Sequence, residues 1–413
     1  MISFEEAHSF VLGSIETLRP VTRRIIDALG SVAAEEIVAH EAVPGFANSS
    51  MDGFAMRSSD TSHPPARLRV VATTLAGNAP APRVDQSEAV RIMTGAALPA
   101  GADCVCRIED VTVDDSRGEI VVSQVVAPGD CVRQPGEDIA VGDRLIAQGE
   151  VLNAPLLGVV ASQGRDALLV YPRPRVGILS TGDELAGANV ELGPGEIRDS
   201  NRPLLAGMLQ ASGFEVVDFG VARDDYDSTL ALLEAAALTC DAVVSTGGVS
   251  VGDVDHVKTA ILALGGSKAR WMQVAIRPGK PFAFGVVGPR ATPLFGLPGN
   301  PVSTRVSFEL FVRPALRRLA GHRDLDRPRL RAVLDESMAR SRDGKLHVVH
   351  VEVGVDRDAR LRVERVARQG SHLLRGVAGA NALVLLPDGA GAVVGESVSV
   401  LLLDELHVRE TNS

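Results

Sequence analysis

Aromatic residues are scarce in this chain of 413 residues: they make up 3% of it, with one tryptophan and two tyrosines. Any core must therefore be filled by Val, Leu, Ala and Ile. Cysteine is also sparse. Cys104, Cys106, Cys131 and Cys240 are the four present, and none forms a Cys-x-x-Cys pair. That spacing excludes a structural zinc framework and a disulfide scaffold, and it fits a reducing cytosol. Basic charge is not in excess: 42 Lys and Arg stand against 52 Asp and Glu, a net charge of −10. An acidic total argues against a nonspecific nucleic-acid coat, but it leaves room for a local basic pocket. No apolar run approaches a membrane span. The N-terminus lacks the basic-then-apolar pattern of a signal peptide. The expectation is a cytoplasmic protein with neither nucleic acid nor membrane as partner.

What is present is a globular composition, 45% hydrophobic and 23% charged. Its length suits about two to four domains. Ser3 and Glu6 make a capping box, and Phe4, Ala7, Val11 and Ile15 follow at helical spacing. A second helix is expected over Arg23–Leu29, stopped at Gly30. From Val43 to Leu145, β-like runs such as Leu68–Thr73 and Ile120–Val126 alternate with turn residues. Asn153–Ala161 returns to helical texture, so the β-rich part reads as an insertion. The expected division is 1–42 with 141–172 as an N-terminal helical and linker domain, and 43–140 as the inserted β-rich domain. Residues 173–322 form an α/β domain, and 323–413 a C-terminal barrel-like β domain.

The fold class is thus α/β multidomain, with a central doubly wound unit. Strands are expected at Arg175–Leu179, Glu215–Phe219, Ala242–Ser245, Phe282–Val287 and Leu294–Leu297. Helices fall between them, with Ser200 or Asn201 as one cap, and Pro301–Leu319 closes the series. Such folds bind ligands beyond the carboxyl ends of their strands.

The strongest candidate loop runs from Asp241 to Asp255. An apolar strand ends in Gly247-Gly248, followed by Ser250, Gly252, Asp253 and Asp255. Backbone N–H groups there suit phosphate, and the acids suit a hard cation. It is neither a Walker loop nor a Gly-x-Gly-x-x-Gly loop. Ser180-Thr-Gly-Asp-Glu184 reads equally as a metal-positioning loop or a helix cap. Arg198 and Arg202 are placed to grip an anion, or to sit as solvated charges. Of Asp224-Asp225, one acid is expected to cap a helix. Arg277-Pro-Gly-Lys280 sets two cations on a tight turn. In Pro298-Gly-Asn-Pro301, Asn300 caps and Pro301 opens a helix, whose N–H groups and Ser303 face an anion. Asp52, Thr94 and Asp138 lie in polar turns of the insertion.

Ser50–Ala55, Met93–Ala96, Gly136–Ile139, Ser180–Glu184, Gly247–Asp255, Pro278–Pro281 and Leu297–Pro301 occur in this order. Together they resemble the molybdopterin molybdenumtransferases, the MoeA family, related to the E domain of gephyrin. The resemblance covers essentially the whole chain. It implies Mg²⁺-dependent insertion of molybdate into adenylylated molybdopterin, with release of AMP. It also implies a homodimer whose cleft joins the α/β domain of one subunit to the inserted domain of the other. Transient contact with a molybdopterin adenylyltransferase and with apo-molybdoenzymes would follow.

Carried over by matching position, the catalytic acids would be Asp52, Asp138, Glu184, Asp224 and Asp255, with Glu184, Asp224 and Asp255 at the metal. Thr94, Gly247, Gly248, Ser250, Arg277, Lys280, Pro298, Asn300, Pro301, Ser303 and Ser371 would bind substrate. Gln273 and Arg277 stand where the family often has lysines, and His350 stands near a common arginine. A molybdopterin adenylyltransferase and a non-catalytic gephyrin-like scaffold are the alternatives.

Overall fold

The computed structural model describes residues 1–78, 81–250, 255–366, 370, 373–404 and 406–408. Gly252, Asp253 and Ser371, named above as candidates, lie outside the described residues.

The first helix, Phe4–Gly13, is capped as its sequence requires, with Glu6 N–H donating to Ser3 Oγ at 3.0 Å. Its apolar face, Ala7 and Val11, packs with Phe308 and Phe311 in the largest core cluster. The helix expected over Arg23–Leu29 is instead a strand, Val21–Arg24, and one 3₁₀ turn, Ile25–Asp27. Seven residues are too few to offset helix nucleation. Strand Ala167–Tyr171 offers antiparallel pairing across all four residues of Val21–Arg24.

Strand Arg144–Ile146 pairs with Ile37–Val38. The chain therefore returns beside its own start after an excursion into a six-stranded sheet. That sheet runs Cys104–Arg107, Gly53–Met56, Glu88–Ile92, Ala66–Thr74, Glu119–Val122, Val111–Asp114. Ile120 and Val122 point to its core with Phe54, Met56 and Leu68.

The central sheet has the order Glu215–Ala222, Arg175–Thr181, Ala242–Thr246, Thr292–Leu297, Pro281–Val287, Ala269–Gln273. The first four strands are parallel, Pro281–Val287 runs against them, and Ala269–Gln273, antiparallel to it, runs with the first four. Every residue of Ala242–Thr246 and Thr292–Leu297 is buried, as central strands covered on both faces require. Each buried Val, Leu or Phe there is worth roughly 1.5–3 kcal/mol against exposure.

Helix Asn201–Ala211 is capped by neither Ser200 nor the Asn201 side chain. Asp199, one residue earlier, accepts from Arg202 N–H at 3.1 Å. The last helix of the central α/β unit runs unbroken over 301–319, with a π-helical turn at Phe308–Val312 just before Pro314. Pro314 has no N–H to donate, and the widened turn relieves its ring against the carbonyl four residues back.

At the C-terminal end, Leu346–Val355 pairs with Leu361–Arg365, that strand with Arg329–Leu334, that with Ser397–Leu402, that with Ala382–Leu386, and this last with Leu346–Val355 again. That circuit closes a barrel and leaves no free sheet edge within it. Strand Ile276–Arg277 pairs with Leu346 and His347, fastening the Arg277 turn to the barrel.

Candidate active site

The connection from Arg175–Thr181 leads to one side of the sheet, and Ala242–Thr246 lies on the other. Their carboxyl ends, Thr181 and Thr246, therefore form a topological switch point, where such sheets hold ligands. A cleft of ≈ 780 Å³ opens there. Its walls include Thr181, Gly182, Glu184, Asp224, Thr246–Ser250, Asp255, Pro298–Pro301 and Ser303.

The paired glycines are dictated by crowding. Gly247 has φ +94°, and a Cβ on it would stand 2.7 Å from Thr181 O. Gly248 has φ +64°, and its Cβ would stand 2.9 Å from Val257 Cγ2. Only glycine lets the two strand ends come this close while adopting positive φ. Trp271 Nε1 donates to Val249 O at 2.9 Å and steadies the loop from beneath.

A buried polar network missed by the sequence reading fixes the opposite wall. Asn201 Nδ2 donates to Thr246 Oγ1 at 2.9 Å and to Gly299 O. Thr246 Oγ1 donates to Pro298 O at 3.1 Å, and Thr304 Oγ1 to the same oxygen at 2.7 Å. Asn201 was legible only as a possible cap, because its partners lie far away in sequence. Asn300 makes no side-chain cap bond; its carbonyl accepts from Thr304 N–H instead.

Asp225 caps the next helix by accepting from Ser228 N–H at 2.8 Å, which holds its carboxyl below the usual range. Asp224 is left to face the cleft. Arg202 is taken up by Asp199 and Asp218, each at 3.4 Å, so it does not grip an anion. Arg198 lines the cleft but donates to the carbonyls of Gly187 and Val190.

A second cleft of ≈ 620 Å³ lies between the α/β unit and the barrel, sharing Pro281, Asn300 and Ser303 with the first. Arg277, Lys280, Arg340, His347, His350 and Arg365 line it. Arg277 and Lys280 are exposed. Lys280 makes no ion pair among the described residues, whereas Arg277 reaches Asp343 at 3.8 Å. Asp343 also accepts from His347 at 3.1 Å and lies 3.4 Å from Lys345, and these bonds push its carboxyl down to about 2. Arg340, buried beneath, holds Asp343 at 3.0 Å and Asp388 at 2.8 Å. It too escaped the sequence reading. His350 is buried, and burial followed by the Arg305 charge pushes its pKa down to about 3, so its ring is neutral. Gln273 lines neither cleft; it sits on the edge strand, where its carbonyl accepts from Ile2 N–H.

Ten of the expected residues, Glu184, Asp224, Gly247, Gly248, Ser250, Asp255, Pro298, Asn300, Pro301 and Ser303, thus meet in the first cleft, while Arg277 and Lys280 meet in the second. Asp52, Thr94 and Asp138 line neither. Asp52 accepts from Thr94 N–H at 2.7 Å and from Thr94 Oγ1 at 2.8 Å, which lowers its pKa. Asp138 is exposed in a turn held by its N–H to Val43 O at 3.0 Å.

No three metal-ligating side chains converge on one point among the described residues, so Glu184, Asp224 and Asp255 do not form a ready-made cage. One observation suits a cation. Asp255 Oδ2 is buried with no hydrogen-bond partner. Mg²⁺ commonly takes one or two carboxylates and completes its shell with waters and substrate phosphates. The acids present fit that mode.

The fold and clefts define a multidomain α/β protein with a glycine- and carboxylate-walled cleft at the switch point of its central sheet and a cationic cleft beside it. Three family descriptions match in series: "MoeA N-terminal region (domain I and II)" over residues 2–164, "Probable molybdopterin binding domain" over 177–318, and "MoeA C-terminal region (domain IV)" over 331–403. The chain is 36% identical over 399 residues to molybdopterin molybdenumtransferase 2 of Mycobacterium tuberculosis, covering 94% of this chain and 96% of the relative. It is 34% identical over 375 residues to the Haemophilus influenzae molybdopterin molybdenumtransferase, covering 91% of each. A crystal structure of the molybdopterin biosynthesis MoeA protein of Pyrococcus horikoshii superposes with TM-score 0.83 at 31% identity, covering 98% of this chain and all of that one. The chain belongs to the MoeA family, the molybdopterin molybdenumtransferases of molybdenum cofactor biosynthesis.

Proposed function

We propose that the chain catalyses Mg²⁺-dependent insertion of molybdate into adenylylated molybdopterin, releasing AMP. The observation that carries this reading is the pair of adjoining clefts that share Asn300 and Ser303. One is walled by glycines and carboxylates, the other by cations. The pterin-adenylate phosphates would lie along the Gly247–Ser250 and Pro298–Ser303 turns, with Pro301 opening the helix behind them. Molybdate, the cargo, would meet Arg277 and Lys280, the latter without an ion pair among the described residues, and Ser371 would complete the substrate contacts. Mg²⁺ would bind Asp255 with Glu184 or Asp224 and neutralise phosphate charge. Asp255, Glu184 and Asp224 would also orient water toward the phosphoanhydride.

In the balanced reaction, water cleaves the phosphoanhydride and AMP leaves. Two dithiolene sulfurs bond to molybdenum, and one molybdate oxygen departs as water with the two thiol protons. No electrons change hands.

Asp52, Thr94 and Asp138 would act from a second subunit, which makes the active unit a homodimer with a composite site. Substrate delivery by an adenylyltransferase and release to apo-molybdoenzymes follow from that chemistry. The proposed division into 1–42 with 141–172, 43–140, 173–322 and 323–413 places one wall in the insertion. No helix among the described residues is long and apolar enough to cross a membrane; the proposed location is the cytoplasm.

The test is AMP release from adenylylated molybdopterin by purified protein. The expected result is release that requires both molybdate and Mg²⁺. Binding of that compound with no AMP released would overturn the enzymatic reading in favour of a scaffold. ATP consumption with free molybdopterin would favour an adenylyltransferase.

A further inference from the structure

A third cavity, of ≈ 690 Å³, lies apart from both clefts and shares no lining residue with them. Residues 144–151 of the linker segment form one wall, and Arg317, His322, Arg323 and Asp324 form the other. Helix 301–319 starts in the first cleft at Pro301 and delivers Arg317 here from its last turn, about 24 Å along its axis.

The walls are fitted to one another. Gly149 has φ +84°, and a Cβ there would stand 2.3 Å from Arg323 Cγ, so the arginine stem lies directly on its backbone. Gly321 has φ +75° and packs under Tyr171, where a Cβ would stand 2.1 Å from the ring. Arg317 Nε donates to Asp324 O at 2.7 Å, and His322 N–H donates to Arg317 O at 3.0 Å. The turn that carries the cations is therefore seated on both flanks.

The charge is only partly compensated, three arginines standing against two carboxylates. Arg144, Arg317 and Arg323 face Glu150 and Asp324, on a chain whose net charge is −10. Glu150 is engaged with Ala147 N–H at 2.9 Å. Arg144 has one long ion pair, 3.9 Å to Glu36, and Arg317 and Arg323 have none among the described residues. Burial, then the charges of Arg317 and Arg313, push the His322 pKa down to about 4, so its ring is neutral. Its Nδ1 is sealed from water without a hydrogen-bond partner.

We infer that this cavity binds the phosphate group of a nucleotide-sized phosphate monoester, with Arg144, Arg317 and Arg323 as its guanidinium ligands. Guanidinium forks match phosphate oxygens in pairs, and the volume falls within the range of small-molecule sites. Neither cleft of the proposed reaction contributes, so this is a second site on each chain.

The test is hydrogen–deuterium exchange of the full-length protein, titrated with AMP and separately with inorganic phosphate. AMP slows exchange in 144–151 and 320–325, and Arg144→Ala or Arg323→Ala weakens that protection about 10- to 100-fold, the worth of one charge-assisted hydrogen bond. Arg317 is left intact because it also ties the helix end. Protection of 246–250 in the same variants reports the first cleft independently and shows that they are folded. Protection at the cavity by AMP alone assigns a nucleotide; protection by both ligands assigns the phosphate group itself. No protection there at millimolar concentrations of either ligand, or protection that both substitutions leave unchanged, overturns the assignment.

Discussion

Replacing Asn201 tests whether the buried network, rather than the glycine loop alone, shapes the first cleft. Asn201→Ala removes two donors, to Thr246 Oγ1 and to Gly299 O, and leaves that carbonyl short of a partner. Gly299 is exposed and its carbonyl can turn to water, so the cost falls on the buried bond to Thr246 Oγ1, at about 1–3 kcal/mol for a lost buried partner. Part is returned, because Asn201 Oδ1 is itself buried without a partner and disappears with the side chain. A net loss of about 1–2 kcal/mol lowers Tm by roughly 2–8 °C for a unit of this size. Asn201→Asp keeps the shape but sets a carboxylate against Gly299 O and Thr246 Oγ1, so it is more harmful than alanine. Scanning calorimetry gives the stability order, expected as wild type, then Asn201→Ala, then Asn201→Asp. AMP release should fall about tenfold or more in both variants as the Pro298–Pro301 turn relaxes, since 1.4 kcal/mol of misplacement is a factor of ten. A protein with Asn201→Asp as stable and active as wild type would refute the reasoning.

Lys280→Ala should raise the molybdate KM several-fold with Tm unchanged, because Lys280 is exposed and pairs with nothing among the described residues; steady-state kinetics at varied molybdate checks this. His350 has a folded pKa near 3 against 6.5 unfolded, so the unfolded chain binds the extra proton between those values. Its contribution is present above pH 6.5 and is lost as pH falls toward 3. Denaturation across pH 3–7 should show that loss, and His350→Gln should flatten it. Asp52→Ala and Asp255→Ala should each be inactive. Co-refolded together, they should regain about a quarter of wild-type AMP release, since in the proposed composite dimer half of the pairs would be mixed and would carry one intact site of two.

The central strands were legible because covered parallel strands read as continuous apolar runs, and Ala242–Thr246 and Thr292–Leu297 are buried throughout. The same clarity failed at Val21–Arg24. A partner strand some 145 residues away decides that segment, and local propensity does not reveal it. The glycine pair was legible as unusual, but its cause, the contact with Thr181 O, belongs to the neighbouring strand end. Which of Asp224 and Asp225 caps a helix was visible only as a choice. The Ser228 hydrogen bond resolves it. The network role of Asn201, legible only as a possible cap, and the role of Arg340 were missed because each acts through carbonyls and side chains brought together by folding. The separation of the cationic residues from the acidic ones rests on strand Ile276–Arg277 joining the barrel, a pairing of two residues with no sequence signature.

The central claim is tested most directly by counting both products of one reaction. With limiting adenylylated molybdopterin, excess molybdate and Mg²⁺, AMP and protein-bound molybdenum–dithiolene should appear in equal amounts. AMP without incorporated molybdenum, or neither product from folded protein, would contradict the account.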